Sequence, residues 1–135
     1  MSAACLFRVI VCAAIRNAEG KILLARRKPE KILGGFWEFP GGKLESGEAL
    51  EDALRRELRE ELEIEIANVE LLHVEPYHYD HGDVVILFYA CDWAEGEIKL
   101  HDHDAVAWCA PNELQAFNLL PANQTAIAKL RELRK

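Results

Sequence analysis

A predicted helix from Ser46 to about Glu63 restricts the possible folds of this 135-residue chain more than any other segment. Ser46 is expected to cap its first turn. Leucines recur along it at a spacing of four residues, at Leu50, Leu54, Leu58 and Leu62. This spacing is typical of an amphipathic helix, whose apolar face must pack against another element. Because a chain of this length forms one domain, we expect that element within a single domain spanning residues 1–135.

Apolar and β-branched runs on both sides of this helix predict strands rather than further long helices. The predicted strands are 7–15, 21–26, 64–66, 69–77, 84–91 and 105–109. A short helix is predicted at 111–114, and a terminal helix starts at Pro121 and carries Ile127, Leu130 and Leu133. Because the strands come in blocks around the helices, we predict an α/β fold with a mixed sheet and helices packed on it.

Charge and composition exclude several classes of partner. The chain has 16 basic and 23 acidic residues and a net charge of −7, whereas proteins that grip polymeric nucleic acid need a positive surface. The apolar run 9–15 is too short to cross a membrane, so no membrane contact is expected. The four cysteines, Cys5, Cys12, Cys91 and Cys109, form no close pair, and we expect reduced thiols in a cytoplasmic protein.

Three carboxylates on the predicted helix indicate either a metal site or a solvated, ion-paired surface. On a helical projection Glu57, Glu60 and Glu61 share an arc about 100° wide beside the apolar face. Carboxylates so placed repel one another and are costly to desolvate, and a hard divalent cation with oxygen ligands relieves both costs. The alternative is a solvated face held by ion pairs with nearby arginines. The glycine-containing turn 40–42 favours a metal and phosphate site, because it lets the backbone approach a ligand.

The spacing of these residues resembles the signature of the Nudix hydrolase family. The matching positions are Gly42, Glu48, Arg56, Glu57, Leu58, Glu60, Glu61 and Ile64. The resemblance implies an α/β/α sandwich around a mixed sheet. It also implies an enzyme that uses Mg²⁺ or Mn²⁺ to hydrolyse nucleoside diphosphates that are linked to another group. Glu63 stands where the family usually has glycine, and we expect this to cost about 1 kcal/mol or to extend the helix slightly, with activity retained.

The resemblance also implies roles for single residues. The implied metal ligands are the side chains of Glu57, Glu60 and Glu61, the main-chain carbonyl of Gly41, and Asp102 as a remote acid. The implied catalytic set is Glu57, Glu60, Glu48 and Arg56. Within it Glu57 activates water, whereas Glu48 and Arg56 orient the cluster. The neighbours of Asp102, His103 and Asp104, are expected to be loop residues.

The stretch from Trp37 to Lys43 is similar to that of the MutT group, which removes oxidised guanine nucleotides from the dNTP pool. This similarity implies substrate contacts by Arg27, Glu38, Phe39, Pro40, Gly41 and Asn123. The Asn123 amide both donates and accepts, so it suits the purine edge; the alternative is a helix cap at Pro121. The cluster 77–81, rich in Tyr and His, is predicted to be a strand end and turn, with contact to a base or phosphate as the alternative.

The preferred hypothesis is a magnesium- or manganese-dependent nucleoside triphosphate pyrophosphohydrolase that converts 8-oxo-dGTP to 8-oxo-dGMP and pyrophosphate, with a role in DNA repair and mutation avoidance. An alternative substrate is CTP, dCTP or 5-methyl-dCTP. An alternative of another class is a non-catalytic Nudix-like module that recognises oxidised guanine, which the retained glutamates disfavour. The expected partner is a free nucleoside triphosphate, and the expected assembly is a monomer or weak homodimer.

Overall fold

Strand β1 lies at the centre of a seven-stranded mixed sheet in the computed structural model, which describes residues 6–132. The strands are β1 (Arg8–Arg16), β2 (Ile22–Arg27), β3 (Trp37–Glu38), β4 (Gly41–Lys43), β5 (Glu65–Tyr79), β6 (Gly82–Glu95) and β7 (His103–Cys109). The helices are α1 (Leu50–Leu62), α2 (Pro121–Gln124) and α3 (Ile127–Glu132), and Pro111–Ala116 forms a 3₁₀ helix. The main path is β3-β2-β1-β6-β5, with β4 paired to β1 and β7 to β2. The β1–β6 pair is parallel.

Alternate residues of β1 serve two separate apolar cores, as the two faces of a buried strand require. Cys12 and Ala14 face a core that includes Phe88 and the C-terminal helical residues Leu114, Ile127 and Leu130. The intervening residues face a core formed with α1; its members include Val11, Ala13, Ile15, Leu54, Leu58 and Leu62. The sheet thus lies between two helical layers, which confirms the expected α/β/α sandwich.

Helix α1 is shorter at its start than predicted. It begins at Leu50 after Ala49, which provides no side-chain cap, so the predicted cap at Ser46 is wrong. Ser46 lies instead in a turn in which Gly47 has a φ of +80° and the Glu48 amide donates to the Glu45 carbonyl at 3.1 Å. That turn reverses the chain before the helix can start.

At its other end α1 stops where the family pattern has glycine. Glu63 adopts the left-handed conformation, with φ 59° and ψ 37°, and its amide donates to the Arg59 carbonyl at 3.1 Å. The helix does not run on. Glu63 therefore ends the helix in the left-handed conformation that glycine adopts most easily, and a residue with a Cβ adopts that conformation at an energetic cost.

Three further boundaries differ from the prediction. The segments 64–66 and 69–77 form one strand, β5, in which Asn68 has a φ of 53° and register shifts absorb extra residues. The segment between β2 and α1, for which no strand is predicted, contains β3 and β4, which are too short to show a period. The predicted terminal helix is divided into α2 and α3, and Leu133 lies outside the described residues.

No helix in the described part of the chain is long and apolar enough to cross a membrane. The thiols of Cys12, Cys91 and Cys109 are free and buried, and Cys5 lies outside the described residues. Burial raises the pKa of Cys91 to about 12, so this thiol stays protonated at neutral pH.

Candidate active site

Arg56 gathers carboxylates from α1 and from the loop before it. Its Nη1 donates to Glu57 Oε1 at 2.9 Å and to Glu60 Oε1 at 2.8 Å. Its Nε and Nη2 donate to the two oxygens of Glu48 at 2.7 and 3.0 Å, and Nη2 also donates to the Lys43 carbonyl at 3.0 Å. The bond from Arg56 holds the pKa of Glu48 below its usual value. One guanidinium therefore orients the carboxylates of Glu48, Glu57 and Glu60.

The three helix glutamates differ in their exposure to solvent. Glu61 is buried, the Glu57 side chain is 16% exposed, and the Glu60 side chain is 55% exposed. Glu57 and Glu61 thus lie beside the buried face, as predicted. Glu60 lies at the exposed edge, where its ion pair with Arg56 matches the alternative of a solvated, charge-paired face. The first leucine of the predicted stripe, Leu50, is also 37% exposed.

Burial makes Glu61 the most perturbed carboxyl of the site. Burial, together with the nearby carboxylates Glu57, Glu38 and Asp102, raises its pKa to about 9, although the Gly41 amide donates to its Oε1 at 3.3 Å. Burial also raises the pKa of Glu57, against the bond from Arg56. Two adjacent carboxyl groups that resist ionisation indicate a place where added positive charge is stabilised.

Strand β4 requires its two glycines because it passes so close to β1 and to α1. A Cβ on Gly41 would lie 1.9 Å from the Val11 carbonyl oxygen. A Cβ on Gly42 would lie 2.3 to 2.6 Å from the carboxylate atoms of Glu57. The turn therefore has a structural role in the site, because it brings its backbone against the acidic side chains.

The side chains implied as metal ligands are engaged in contacts with other residues. No three or more His, Cys, Asp or Glu side chains among residues 6–132 are arranged to hold a metal ion. Glu57 and Glu60 bond to Arg56, and Asp102 pairs with Lys31. Burial disfavours the charged form of Asp102, but the hydrogen bond and the charge of Lys31, together with smaller contributions from other neighbours, outweigh burial and lower the pKa.

The chemistry of this donor set fits a hard divalent cation. All the implied side-chain donors are carboxylate oxygens, which such ions prefer. Burial and the neighbouring carboxylates raise the pKa of Glu61, so an added positive charge beside it would favour its ionised form. A bound cation would replace Arg56 as the partner of Glu57 and Glu60, and it would favour the ionised form of Glu61.

A cavity of about 280 Å³ lies beside the acidic cluster. Its wall contains the basic residues Arg8, Arg27 and Lys43, and its apolar part includes Ile10, Val84 and Ile86. Strand β4 borders both regions, because Gly42 contacts Glu57 while Lys43 lines the cavity. The arrangement places positive side chains next to a carboxylate cluster, which suits an anionic ligand held partly by a cation.

Asn123 reaches this cavity from α2 and is almost fully buried, with 3% exposure. Its Oδ1 accepts a hydrogen bond from the Phe39 amide at 2.8 Å. Because that contact needs an acceptor, Nδ2 is the atom left over, and no partner for it is found among the described residues. The residue before α2 is Leu120, so Asn123 does not cap its own helix. The alternative of a cap at Pro121 is therefore wrong.

Only some of the expected substrate contacts line the cavity. Arg27, Glu38 and Asn123 do. The Phe39 side chain is buried against Phe88, with ring centroids 6.1 Å apart, and contributes its backbone amide instead. The Pro40 carbonyl accepts from the Ala13 amide at 2.8 Å, and Gly41 donates to Glu61. These residues support the site from behind.

The cavity also contains residues that the sequence analysis did not assign to it. Arg8 and Lys43 were not singled out, and Tyr79 and His81 were expected in a strand end and turn. The rings of Tyr79 and His81 stack with centroids 4.8 Å apart and form part of the wall. Burial raises the pKa of Tyr79 to about 12, so its phenol stays neutral. The period-two spacing of Tyr77, Tyr79 and His81 was the available signal for a shared face.

His103 and Asp104 are not loop residues, contrary to expectation. Both belong to β7, where the register shifts between Arg26 and Arg27 of β2. His103 is buried and its Nε2 lies 2.8 Å from Glu38 Oε2. Asp104 accepts from Arg26 Nε at 2.7 Å. The strand starts earlier than its apolar residues indicate because it pairs with β2 by backbone hydrogen bonds.

Comparison with known proteins finds one family. A family model described as the NUDIX domain matches residues 6–130. A CTP pyrophosphohydrolase of Escherichia coli K12 is 38% identical over 126 residues, which cover 92% of each protein. An 8-oxo-dGTP diphosphatase of the same strain is 33% identical over 124 residues, which cover 92% of this chain and 96% of the relative. A crystal structure of a MutT NUDIX hydrolase from Burkholderia pseudomallei superposes with a TM-score of 0.83 at 32% identity, over 92% of this chain and 98% of that one.

Proposed function

Because the chain belongs to the Nudix family and is a nucleoside triphosphate hydrolase of that family, we propose that its preferred substrate is 8-oxo-dGTP, converted to 8-oxo-dGMP and pyrophosphate. The observation that carries this proposal is the Asn123 side chain, held by the Phe39 amide at the cavity wall. Hydrolysis of this kind removes an oxidised nucleotide before a polymerase uses it.

The hydrogen-bonding capacity of Asn123 suits the edge of an oxidised guanine. The Phe39 amide occupies one lone pair of Oδ1, which leaves the second lone pair and the two protons of Nδ2. 8-Oxoguanine presents the O6 acceptor beside an N7–H donor, so it can satisfy both groups. Unmodified guanine presents two acceptors there and would leave the amide oxygen opposite an acceptor. An unmatched polar group in a buried site gives strong discrimination.

The triphosphate is assigned to the border between the cavity and the acidic cluster. Arg8, Arg27 and Lys43 supply positive charge on one side. Glu57, Glu60, Glu61, Asp102 and the Gly41 carbonyl would hold Mg²⁺ or Mn²⁺ on the other, and the bound ion neutralises phosphate charge and lowers the pKa of a bound water.

Within the acidic cluster Glu57 is the residue suited to take a proton from the attacking water. Its burial raises its pKa toward the working pH, which improves a carboxylate as a general base. Arg56 and Glu48 keep it oriented. The water oxygen forms a bond to a phosphorus of the triphosphate. A bridging P–O bond of the triphosphate breaks, and pyrophosphate leaves with the electron pair of that bond.

A second candidate substrate is CTP, dCTP or 5-methyl-dCTP. It is favoured by the relative of 38% identity that is named a CTP pyrophosphohydrolase. Cytosine also presents an acceptor, N3, beside a donor, the N4 amino group, and Asn123 can pair with both.

A pyrophosphate-release panel separates these candidates. We would measure kcat/KM with Mg²⁺ for 8-oxo-dGTP, dGTP, CTP, 5-methyl-dCTP and ADP-ribose. Asn123→Ala should lower kcat/KM for 8-oxo-dGTP by about 10- to 100-fold, as expected for a lost buried hydrogen-bond partner. Asn118→Ala removes the same amide from an exposed position and is the matched control. If CTP is the better substrate and Asn123→Ala leaves 8-oxo-dGTP hydrolysis unchanged, the oxidised-guanine proposal fails.

A further inference from the structure

A row of three hydrogen-bonded side chains extends from the cavity wall into the protein and joins β2, β3 and β7. Arg27 Nη1 donates to Glu38 Oε1 at 3.1 Å, and Glu38 Oε2 lies 2.8 Å from His103 Nε2. Arg27 Nε also donates to the Ile32 carbonyl at 2.9 Å. Of the three, Arg27 and Glu38 line the cavity, whereas His103 is not among its lining residues.

The surroundings of His103 determine which of its nitrogens carries the proton. The residue is 3% exposed, and its Nδ1 is buried without a hydrogen-bond partner in the described part of the chain. An N–H at Nδ1 would be a buried, unpaired donor, which is costly. Because a carboxylate oxygen only accepts, Nε2 carries a proton, and His103 donates one hydrogen bond to Glu38 Oε2 at 2.8 Å.

The consequence is that both oxygens of Glu38 are held by a donor. A carboxylate so held cannot turn about its last bond, yet each oxygen keeps a further lone pair. The Glu38 side chain is 15% exposed and borders the cavity, so these lone pairs are available to N–H groups of a bound nucleotide base. The same carboxylate aligns Arg27, whose side chain is 24% exposed.

We propose that His103 is a positioning residue for nucleotide binding. It acts through Glu38, and through Glu38 on Arg27, and it contacts no substrate itself. This inference rests on the proposed nucleotide hydrolysis, but it does not depend on which base is preferred. Loss of the His103 donor should leave Glu38 free to turn and should weaken binding in the ground and transition states alike, which raises KM and spares kcat.

Two substitutions of His103 test the donor separately from packing. The amide nitrogen of Gln reaches the position of Nε2, whereas that of Asn is too short to reach Glu38. His103→Asn should raise KM by about 10-fold, the order expected for a lost bond to a charged group, with kcat within about 2-fold. His103→Gln should restore KM to within about 3-fold of the original protein. His78→Asn changes an exposed histidine, with a side chain 72% exposed, and should change neither constant.

A double-mutant cycle tests whether His103 acts through Glu38. Glu38→Ala should raise KM, and His103→Asn added to it should raise KM no further, because the group that it positions has gone. Additive effects would overturn the proposal, as would equal KM values for the Asn and Gln variants or a loss confined to kcat. Thermal unfolding of each variant identifies any that fails to fold, and the Gln variant and the cycle then decide the outcome.

Failure of the substrate proposal would look different. If the original protein hydrolyses CTP rather than 8-oxo-dGTP, the same constants are measured with CTP, and the rescue by Gln and the lack of additivity are still required.

Discussion

Two regions of opposite charge border strand β4. On one side, the acidic cluster consists of Glu48, Glu57, Glu60 and Glu61, of which the first three bond to Arg56; on the other, a cavity presents Arg8, Arg27 and Lys43. The acidic cluster comes from one helix and the loop before it. The cavity is assembled from strands, turns and a helix between residues 8 and 123.

The difference teaches how an acidic protein can accept a phosphate ligand. The net charge of −7 excludes a broad positive surface, but it does not describe the field inside one cleft. We assign the chemical step to the acidic cluster and the recognition of the nucleotide to the cavity. Substitutions on the two sides should therefore change different kinetic constants.

The largest effect is expected for Glu57→Gln. Loss of the proton acceptor should lower kcat by about 10²- to 10⁴-fold with little change in KM. Glu51→Gln is the control, because Glu51 is exposed on the same helix and pairs with Arg55 instead. Steady-state kinetics over a range of Mg²⁺ concentrations would measure both. Unchanged turnover and unchanged magnesium dependence in Glu57→Gln would contradict the catalytic assignment.

The next largest effect concerns the pH dependence of stability. Glu61 titrates near 4.5 when unfolded and near 9 when folded, so in this range folding takes up a proton. The free energy of unfolding of the metal-free protein should therefore fall as pH rises from about 4.5 to about 9. Glu61→Gln should remove this component, so its free energy of unfolding should vary much less with pH over the same range.

Chemical denaturation at several pH values in the presence of EDTA measures that slope. Mg²⁺ should stabilise the original protein most at high pH, where the ion no longer competes with a proton. A slope that is the same in Glu61→Gln as in the original protein would show that Glu61 does not hold its proton on folding.

A smaller effect is expected on the cavity side. Lys43→Gln should raise KM for the triphosphate by about 2- to 5-fold and leave kcat unchanged, because Lys43 is exposed and its charge is screened. The effect should shrink as salt concentration rises. Lys21→Gln, in the turn between β1 and β2, is the matched control. A fall in kcat with constant KM would contradict the division of roles between the two regions.

The smallest effect is expected at the end of α1. Glu63→Gly relieves a left-handed backbone but removes the pair with His101. The net gain in the free energy of unfolding should be about 0.5 kcal/mol, with activity unchanged because Glu63 does not contact Arg56 or the cavity. Asn68→Gly, at a φ of 53° in β5, gives the comparison. A loss of stability in Glu63→Gly would mean that the His101 pair outweighs the strain.

Much of the acidic cluster was predictable because it is local. Residues that share one helix keep their angular relation in any fold, so the sequence indicated that Glu57 and Glu61 lie beside the buried leucines. The helical projection did not predict how exposed each glutamate is: Glu60, at the edge of the shared arc, has a side chain that is more than half exposed. It also missed the start of α1, which a turn at Gly47 delays to Leu50.

The cavity was predictable only in part. Asn123 and Arg27 entered through a resemblance. Tyr79 and His81 lie at a strand end and turn, as predicted, and form part of the cavity wall, whereas His103 was expected in a loop and lies in β7. Asn123 and His103 each depend on a partner distant in sequence: Asn123 on the Phe39 amide, and His103 on Glu38. No local period encodes such a pair.

The sequence by itself determined the two-faced strand β1, the amphipathic helix and the acidic residues that it carries, because backbone periodicity and side-chain polarity act over neighbouring residues. The tertiary structure alone decided that Glu61 is buried enough to hold a proton and that His103 supports the cavity wall. These features depend on desolvation and on contacts between separate strands, and both arise only when the sheet closes against its helices.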